Sequence, residues 1–207
     1  MILNFRTTIF LLFFIIPISL FAVEFENIGE LNSSLEQFNE KRLKINEIGM
    51  YTLGGWAIGN FLINAPLMRN SSGSDYYFYQ GNILWNTVNA ALAGFGLWQA
   101  LSGDPTAFDL SESLRSQKNM ENILLFNAGL DLGYIATGFF LMERAKSVTK
   151  NKDLMKGYGK ALILQGSFLF VFDWVLYLIH RSNANNLLDV LAGFRPTGNG
   201  MGYIMTF

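Results

Sequence analysis

"LLFNAGLDLGYIATGFFLM", Leu124 to Met142, is the stretch whose reading decides the fold of this chain. It is apolar enough to span a bilayer, yet Asp131 sits at its middle and Asn127 one turn before it. A charged side chain at bilayer depth costs roughly 2.5–3.5 kcal/mol on insertion scales, so it is retained where it finds partners. Asn127, Asp131 and Tyr134 fall at i, i+4 and i+7, which is one face of a helix. That face predicts a neighbouring helix rather than lipid.

Three further apolar stretches have the same character. They cover about 46–67, 77–101 and 158–180, with the Asp131 stretch widened to about 120–142. Each is long enough for a hydrocarbon core of roughly 30 Å, and each carries its own polar face. In the first, Asn60 and Asn64 stack one turn apart. In the second, Asn82, Asn86 and Asn89 share a face. In the fourth, Asp173, Tyr177 and His180 form a stripe with Gln165 two turns earlier. Four such helices predict an all-α membrane protein, a four-transmembrane-helix bundle with its polar faces turned inward. Gly55, Gly59, Gly94, Gly129 and Gly133 are expected to let the helices approach closely.

Composition agrees. Of 207 residues, 51% are hydrophobic and 15% aromatic, while charged residues reach 15%, well under the roughly 25% of a soluble domain. The net charge of -1 offers no basic face for nucleic acid. With no cysteine, disulfides, thiolate catalysis, iron–sulfur clusters and Cys-type zinc sites are excluded. A single histidine, His180, excludes a bis-histidine haem or a multi-histidine metal box within one chain. No cofactor is expected.

The N-terminus, "MILNFRTTIFLLFFIIPISLFAVEFEN", has Arg6, an apolar run from Ile9 to Phe21 and small Ala22 before an acidic stretch. This is the layout of a secretory signal peptide over 1–22; the other reading is an uncleaved anchor helix. Residues 23–45 follow as an amphipathic periplasmic helix, with Ile28, Leu31, Leu35, Phe38 and Ile45 at helical spacing. It lies on the membrane surface or against the bundle. The transmembrane domain is then 46–180 and the periplasmic tail 181–207, where Met201, Tyr203, Met205 and Phe207 alternate like a short strand.

Arg144, Lys146, Lys150, Lys152 and Lys156 load the third loop, 143–157, with positive charge, which makes it cytoplasmic. Both termini are then periplasmic and the protein belongs to a bacterial inner membrane. Lys41, Arg42 and Lys44 disagree, since they flank the first span on its outer side. A weak internal repeat aligns "LGGWAIGNFL" (53–62) with "LGYIATGFFL" (132–141), and "QGNILW" (80–85) with "QGSFLF" (165–170). It predicts two repeated helical hairpins.

The polar column is the candidate site: Asp131, Asp173, His180, Asn127, Tyr177, Asn86, Asn89 and Gln165. As hydrogen-bond glue these residues make a structural or assembly module, each bond contributing about 0.6 kcal/mol. As a site, they suit a small proton-coupled or polar-solute transporter using Asp131 and Asp173, with His180 passing protons at the periplasmic mouth. A transporter this small is expected to work as a homo-dimer in the lipid bilayer. An intramembrane hydrolase is disfavoured, because Ser167 has no base within a turn on its own helix.

The runs "LGGWAIGN" (53–60), "YQGNILWNTVN" (79–89), "NAGLDLGY" (127–134) and "YGKALILQGSFLFVFD" (158–173) resemble an uncharacterised family of small Gram-negative membrane proteins, a domain-of-unknown-function group. The resemblance implies a four-helix membrane protein and adds no activity, substrate or catalytic residue.

Overall fold

The computed structural model describes the backbone of residues 5–197 and 200–203, and the side chains of residues 29–188 and 191. Four long helices dominate: α1 Phe5–Arg69, α2 Gly73–Ser102, α3 Leu110–Ser147 and α4 Lys152–Gly193. A 3-10 turn, Pro105–Ala107, lies between α2 and α3. After α4 come two short antiparallel strands, β1 Phe194–Thr197 and β2 Gly200–Tyr203, with Phe194 opposite Tyr203. Met201 and Tyr203 of the expected tail strand thus lie in half of a small hairpin, and Met205 and Phe207 fall outside the described residues.

Helix ends differ from expectation for identifiable reasons. The amphipathic segment 23–45 is not a separate helix but the upper part of α1, because no breaker separates it from residue 46. α1 passes through Pro66 and ends at Arg69, just beyond the first apolar stretch. The expected signal segment lies within α1 from Phe5 on; residues 1–4 and the side chains up to 28 fall outside the described residues. The loop expected over 102–118 is helical from Leu110. There Asp109 accepts from the Glu112 N–H at 2.8 Å, and the Glu112 carboxylate accepts from the Asp109 N–H at 3.2 Å. This reciprocal cap starts α3 two turns early. The basic loop shrinks to Val148–Asn151, with Asn151 in the left-handed region at φ 61°. The tail is likewise helical as far as Gly193.

α1 with α2, and α3 with α4, form antiparallel hairpins, and α4 also packs along α2. α2 and α3 scarcely touch. Helices cross closely at two places: a Cβ on Gly138 of α3 would lie 2.6 Å from the Gly159 carbonyl oxygen of α4, and one on Gly157 of α4 would press on the Ser74 carbonyl oxygen of α2. The five glycines expected at interfaces are elsewhere: a Cβ on Gly55, Gly59, Gly94, Gly129 or Gly133 would meet nothing within 4 Å. The aligned glycines of the repeat are mixed: Gly59 is open where Gly138 is clamped, whereas Gly81 and Gly166 would each bring a Cβ within 3.0 Å of a neighbouring helix.

The interior changes character along the bundle. At the end holding the N-terminal part of α1, Leu35, Phe38 and Leu187 form a buried apolar cluster with Leu110 and Leu191 against it. Glu30, Glu36, Glu40 and Lys41 are exposed around it, the pattern of a water-facing bundle. Farther down the pattern inverts. Asn60, Asn64, Asn82, Asn86, Asn89, Asp131, Gln165 and Asp173 are all buried, while Leu62, Val88, Phe95, Phe126, Phe140 and Val171 stand more than half exposed. Two helices, α3 and α4, are long and apolar enough to cross a membrane. Among the described residues no stretch of α1 or α2 meets the same measure.

Candidate functional site: a layered polar interior

The buried polar residues form three layers. The lowest, nearest the Arg69–Gly73 turn, is made of amides. Gln165 on α4 donates to Asn82 Oδ1 at 2.6 Å and to Asn60 Oδ1 at 3.2 Å, and its Oε1 accepts from the Trp56 indole at 2.9 Å. Asn82 donates to Asn64 Oδ1 at 3.4 Å. One side chain therefore ties α1, α2 and α4 together. Asn60, Asn64, Asn82 and Asn86 also return a side-chain N–H to the carbonyl one turn earlier on their own helix, at 2.8–3.0 Å. Asn89 donates to Asn86 Oδ1 at 3.3 Å and carries the ladder to the next layer.

The middle layer holds the carboxyls. Asp131 on α3 and Asp173 on α4 lie against each other, both at least nine-tenths buried. They line a cleft of about 250 Å³ together with Asn89, Asn127, Trp85 and Tyr134. One oxygen of Asp131, Oδ2, is fully buried and has no hydrogen-bond partner among the described residues. Trp85 meets Tyr134 edge to face, ring centres 4.7 Å apart, where α2 comes nearest α3. Residues from two helices, Asp131 and Asp173, therefore share one site.

The upper layer surrounds His180, whose side chain is fully buried rather than at a mouth. Its Nε2 lies 2.9 Å from Asn46 Oδ1. Gln117 donates to the His180 carbonyl at 2.7 Å and to Glu121 at 3.0 Å, and Arg181 pairs with Glu121 at 3.4 Å. Above them Asn39 donates to Ser113 Oγ at 2.8 Å and to the Pro105 carbonyl at 3.3 Å. Arg42 reaches Asn39 Oδ1 at 3.3 Å and lies 4.9 Å over the Phe108 ring. Burial pushes the Arg42 guanidinium below its ordinary value. Tyr177 belongs to none of the layers; it packs against the apolar cluster of Ile45, Leu124 and Leu176.

Asp131, Asp173, Asn89 and Asn127 thus converge on the cleft, Asn86 and Gln165 sit in the amide ladder, and His180 stands apart above them. The residues missed by sequence reasoning are Asn39, Arg42, Asn46, Ser113, Gln117 and Glu121. Ser113, Gln117, Glu121, Leu124, Ala128 and Asp131 follow at steps of four, four, three, four and three, one continuous buried face. Extending the Asp131 face through residues read as loop would have found three of the six.

Among the described residues no three His, Asp or Glu side chains converge as a metal-holding group. The family of unknown function DUF6992 matches residues 52–174, more than half of the chain. The chain belongs to the DUF6992 family. The expected resemblance to an uncharacterised family holds at that level, and no activity comes with it. No curated protein and no solved structure matches the chain. The DUF6992 match takes in the amide layer and the carboxyl cleft whole, and it stops short of His180, Asn46 and Arg42.

Proposed function

We propose that the chain is an integral membrane bundle of four spans whose amide layers hold the helices together and whose Asp131–Asp173 cleft handles a proton or a small polar solute. The inverted partition of residues carries the membrane half of this reading. Buried Asn, Gln and Asp inside with exposed Leu, Val and Phe outside is costly in water and favourable in lipid, where apolar side chains meet tails and polar ones meet each other. The apolar cluster at Leu35, Phe38 and Leu187, ringed by exposed charge, then stands in the periplasm. Arg144, Lys146, Lys150 and Lys152 at the opposite end favour a cytoplasmic α3–α4 turn and an inner-membrane location. Arg42, which opposed that orientation in the sequence, is sequestered with Asn39 and Phe108, and Lys44 is paired with Glu47 at 2.8 Å.

A purely structural or assembly role accounts for the amide layers, because their contacts are mutual. It accounts less well for the carboxyls: glue does not require two carboxyls against each other in the wall of a cleft, and burying two such groups together is costly. The cleft therefore favours the transporter reading. Purified protein reconstituted in liposomes with a trapped pH dye should pass protons, or a cation in exchange for protons, down an imposed gradient. Asp131→Asn with Asp173→Asn should abolish the flux while leaving helicity unchanged. A double variant as active as the parent would return the carboxyls to glue.

A further inference from the structure

The cleft is larger than a proton or a bare metal ion needs, and its walls are mostly apolar. Leu53, Val88, Leu92, Leu130 and Leu169 line it beside the two carboxyls, with Trp85 and Tyr134 at the α2–α3 contact. No Lys, Arg or His lines it, so the carboxyl pair has no cation of its own there. Asp131 and Asp173 are 3% and 6% exposed, and both line the cleft. Val88, Leu92 and Leu130 also reach the outer surface, at 58%, 56% and 41% exposure. They border the space where α2 and α3 part, so the cleft opens sideways on the face that the membrane reading gives to lipid.

We propose that this cleft binds a small organic cation, a protonated amine carrying an apolar body, which enters from the side between α2 and α3. The ammonium N–H donates to the Asp131–Asp173 carboxyl pair, a charge-assisted bond in a low-dielectric site. The amide oxygens of Asn89 and Asn127 are further acceptors in the same wall, and the aromatic faces of Trp85 and Tyr134 suit a cation. The apolar body lies against Leu92, Leu130 and Leu169. An amphiphilic amine also concentrates in the bilayer, which is where the opening faces. This inference rests on the membrane reading above and adds the class of solute.

The test is binding of phenethylamine to the full-length protein in detergent micelles near neutral pH, by calorimetry, with 2-phenylethanol as the uncharged counterpart. The expected result is saturable binding of one amine per chain and none of the alcohol. Asp131→Asn and, separately, Asp173→Asn should weaken it about tenfold or more, while Glu36→Gln, which removes an exposed carboxylate far from the cleft, leaves it unchanged. Circular dichroism and a monodisperse elution profile of each variant would confirm that it is folded. Equal binding of amine and alcohol, or the same isotherm in both Asn variants as in the parent, would overturn the proposal. A protein that passes protons in liposomes yet binds no amine would sink this inference alone; one absent from the membrane would sink the membrane reading with it.

Discussion

Gln165 shows how much one residue can hold. Its amide joins the Trp56 indole, Asn60 and Asn82, so Gln165→Leu leaves the Trp56 donor and the Asn82 acceptor unpaired inside the bundle, while Asn60 keeps its bond from Asn64. The expected loss is about 2–4 kcal/mol, given roughly 0.6 kcal/mol for each interhelical bond in lipid and more for each buried group left unsatisfied. Thermal unfolding in detergent, followed by circular dichroism, would report it; an unchanged midpoint would mean the amides are not mutually engaged. Glycines provide a paired prediction at the same scale. Gly138→Ala pushes a Cβ against the Gly159 backbone and should cost about 1–3 kcal/mol. Gly129→Ala meets open space and should stabilise by about 0.5–1 kcal/mol through helix propensity. The two unfolding midpoints should therefore move in opposite directions. Which polar residues would be buried was legible from their spacing of three and four, and Asn82, Asn86, Asn89, Asp131, Gln165 and Asp173 all are. Which glycines would be clamped was not, because a glycine carries no side chain to mark its face; only the neighbour's backbone decides.

Among the elements, α3 departs most from expectation, and the cause is local. Asp109 and Glu112 cap each other's backbone N–H, so the helix starts at Leu110 and carries Ser113, Gln117 and Glu121 onto the buried face. Hydrogen bonds from the Glu112 N–H and the Ser111 hydroxyl hold the Asp109 carboxyl below the usual carboxylate range. A group whose folded value is depressed stabilises above its unfolded pKa of about 3.9 and loses that contribution as the pH falls through the folded value. The first turn of α3 should therefore fray as the pH falls below about 4, while the middle of α3 holds. Amide chemical shifts at Ser111, Glu112 and Ser113 would show it, and Asp109→Ala should produce the same frayed shifts at neutral pH. Shifts that do not move with pH would deny the cap its role. The "S-E-S" run after Asp109 carried the signal, but an acidic, serine-rich stretch beside Pro105 also reads as loop, and the capping geometry separates the two. Elsewhere the elements were legible: four apolar stretches became four helices, and the polar run "RNSSGSD" became the α1–α2 turn with Gly73 at φ 59°.

For the whole molecule, the decisive property is which side of each helix faces outward. Asp131 and Leu132 are neighbours at one depth on different faces, 3% and 52% exposed. In lipid, Leu132→Asp places a carboxylate among acyl chains and should cost about 2.5–3.5 kcal/mol of insertion, whereas position 131 accommodates an acid. The yield of Leu132→Asp in carbonate-washed membranes should fall sharply; in a water-soluble bundle it would be unaffected or improved. Fold class, helix number and inward polar faces could be read from periodicity, because burial imposes period 3.6 whatever the solvent. The pairing of Asp131 with Asp173 could not, since it depends on the offset between α3 and α4 set by the Gly138–Gly159 crossing. The most direct measurement uses the absence of cysteine from the chain. Spin labels on single cysteines at Leu62, Val88, Leu132, Phe140 and Val171, with Glu36 and Lys146 as references, would be exposed in turn to oxygen and to a water-soluble nickel complex. The account predicts high oxygen and low nickel accessibility at the first five, and the reverse at Glu36 and Lys146. Nickel accessibility at Leu132 and Val171 equal to that at Glu36 would place those faces in water and contradict it.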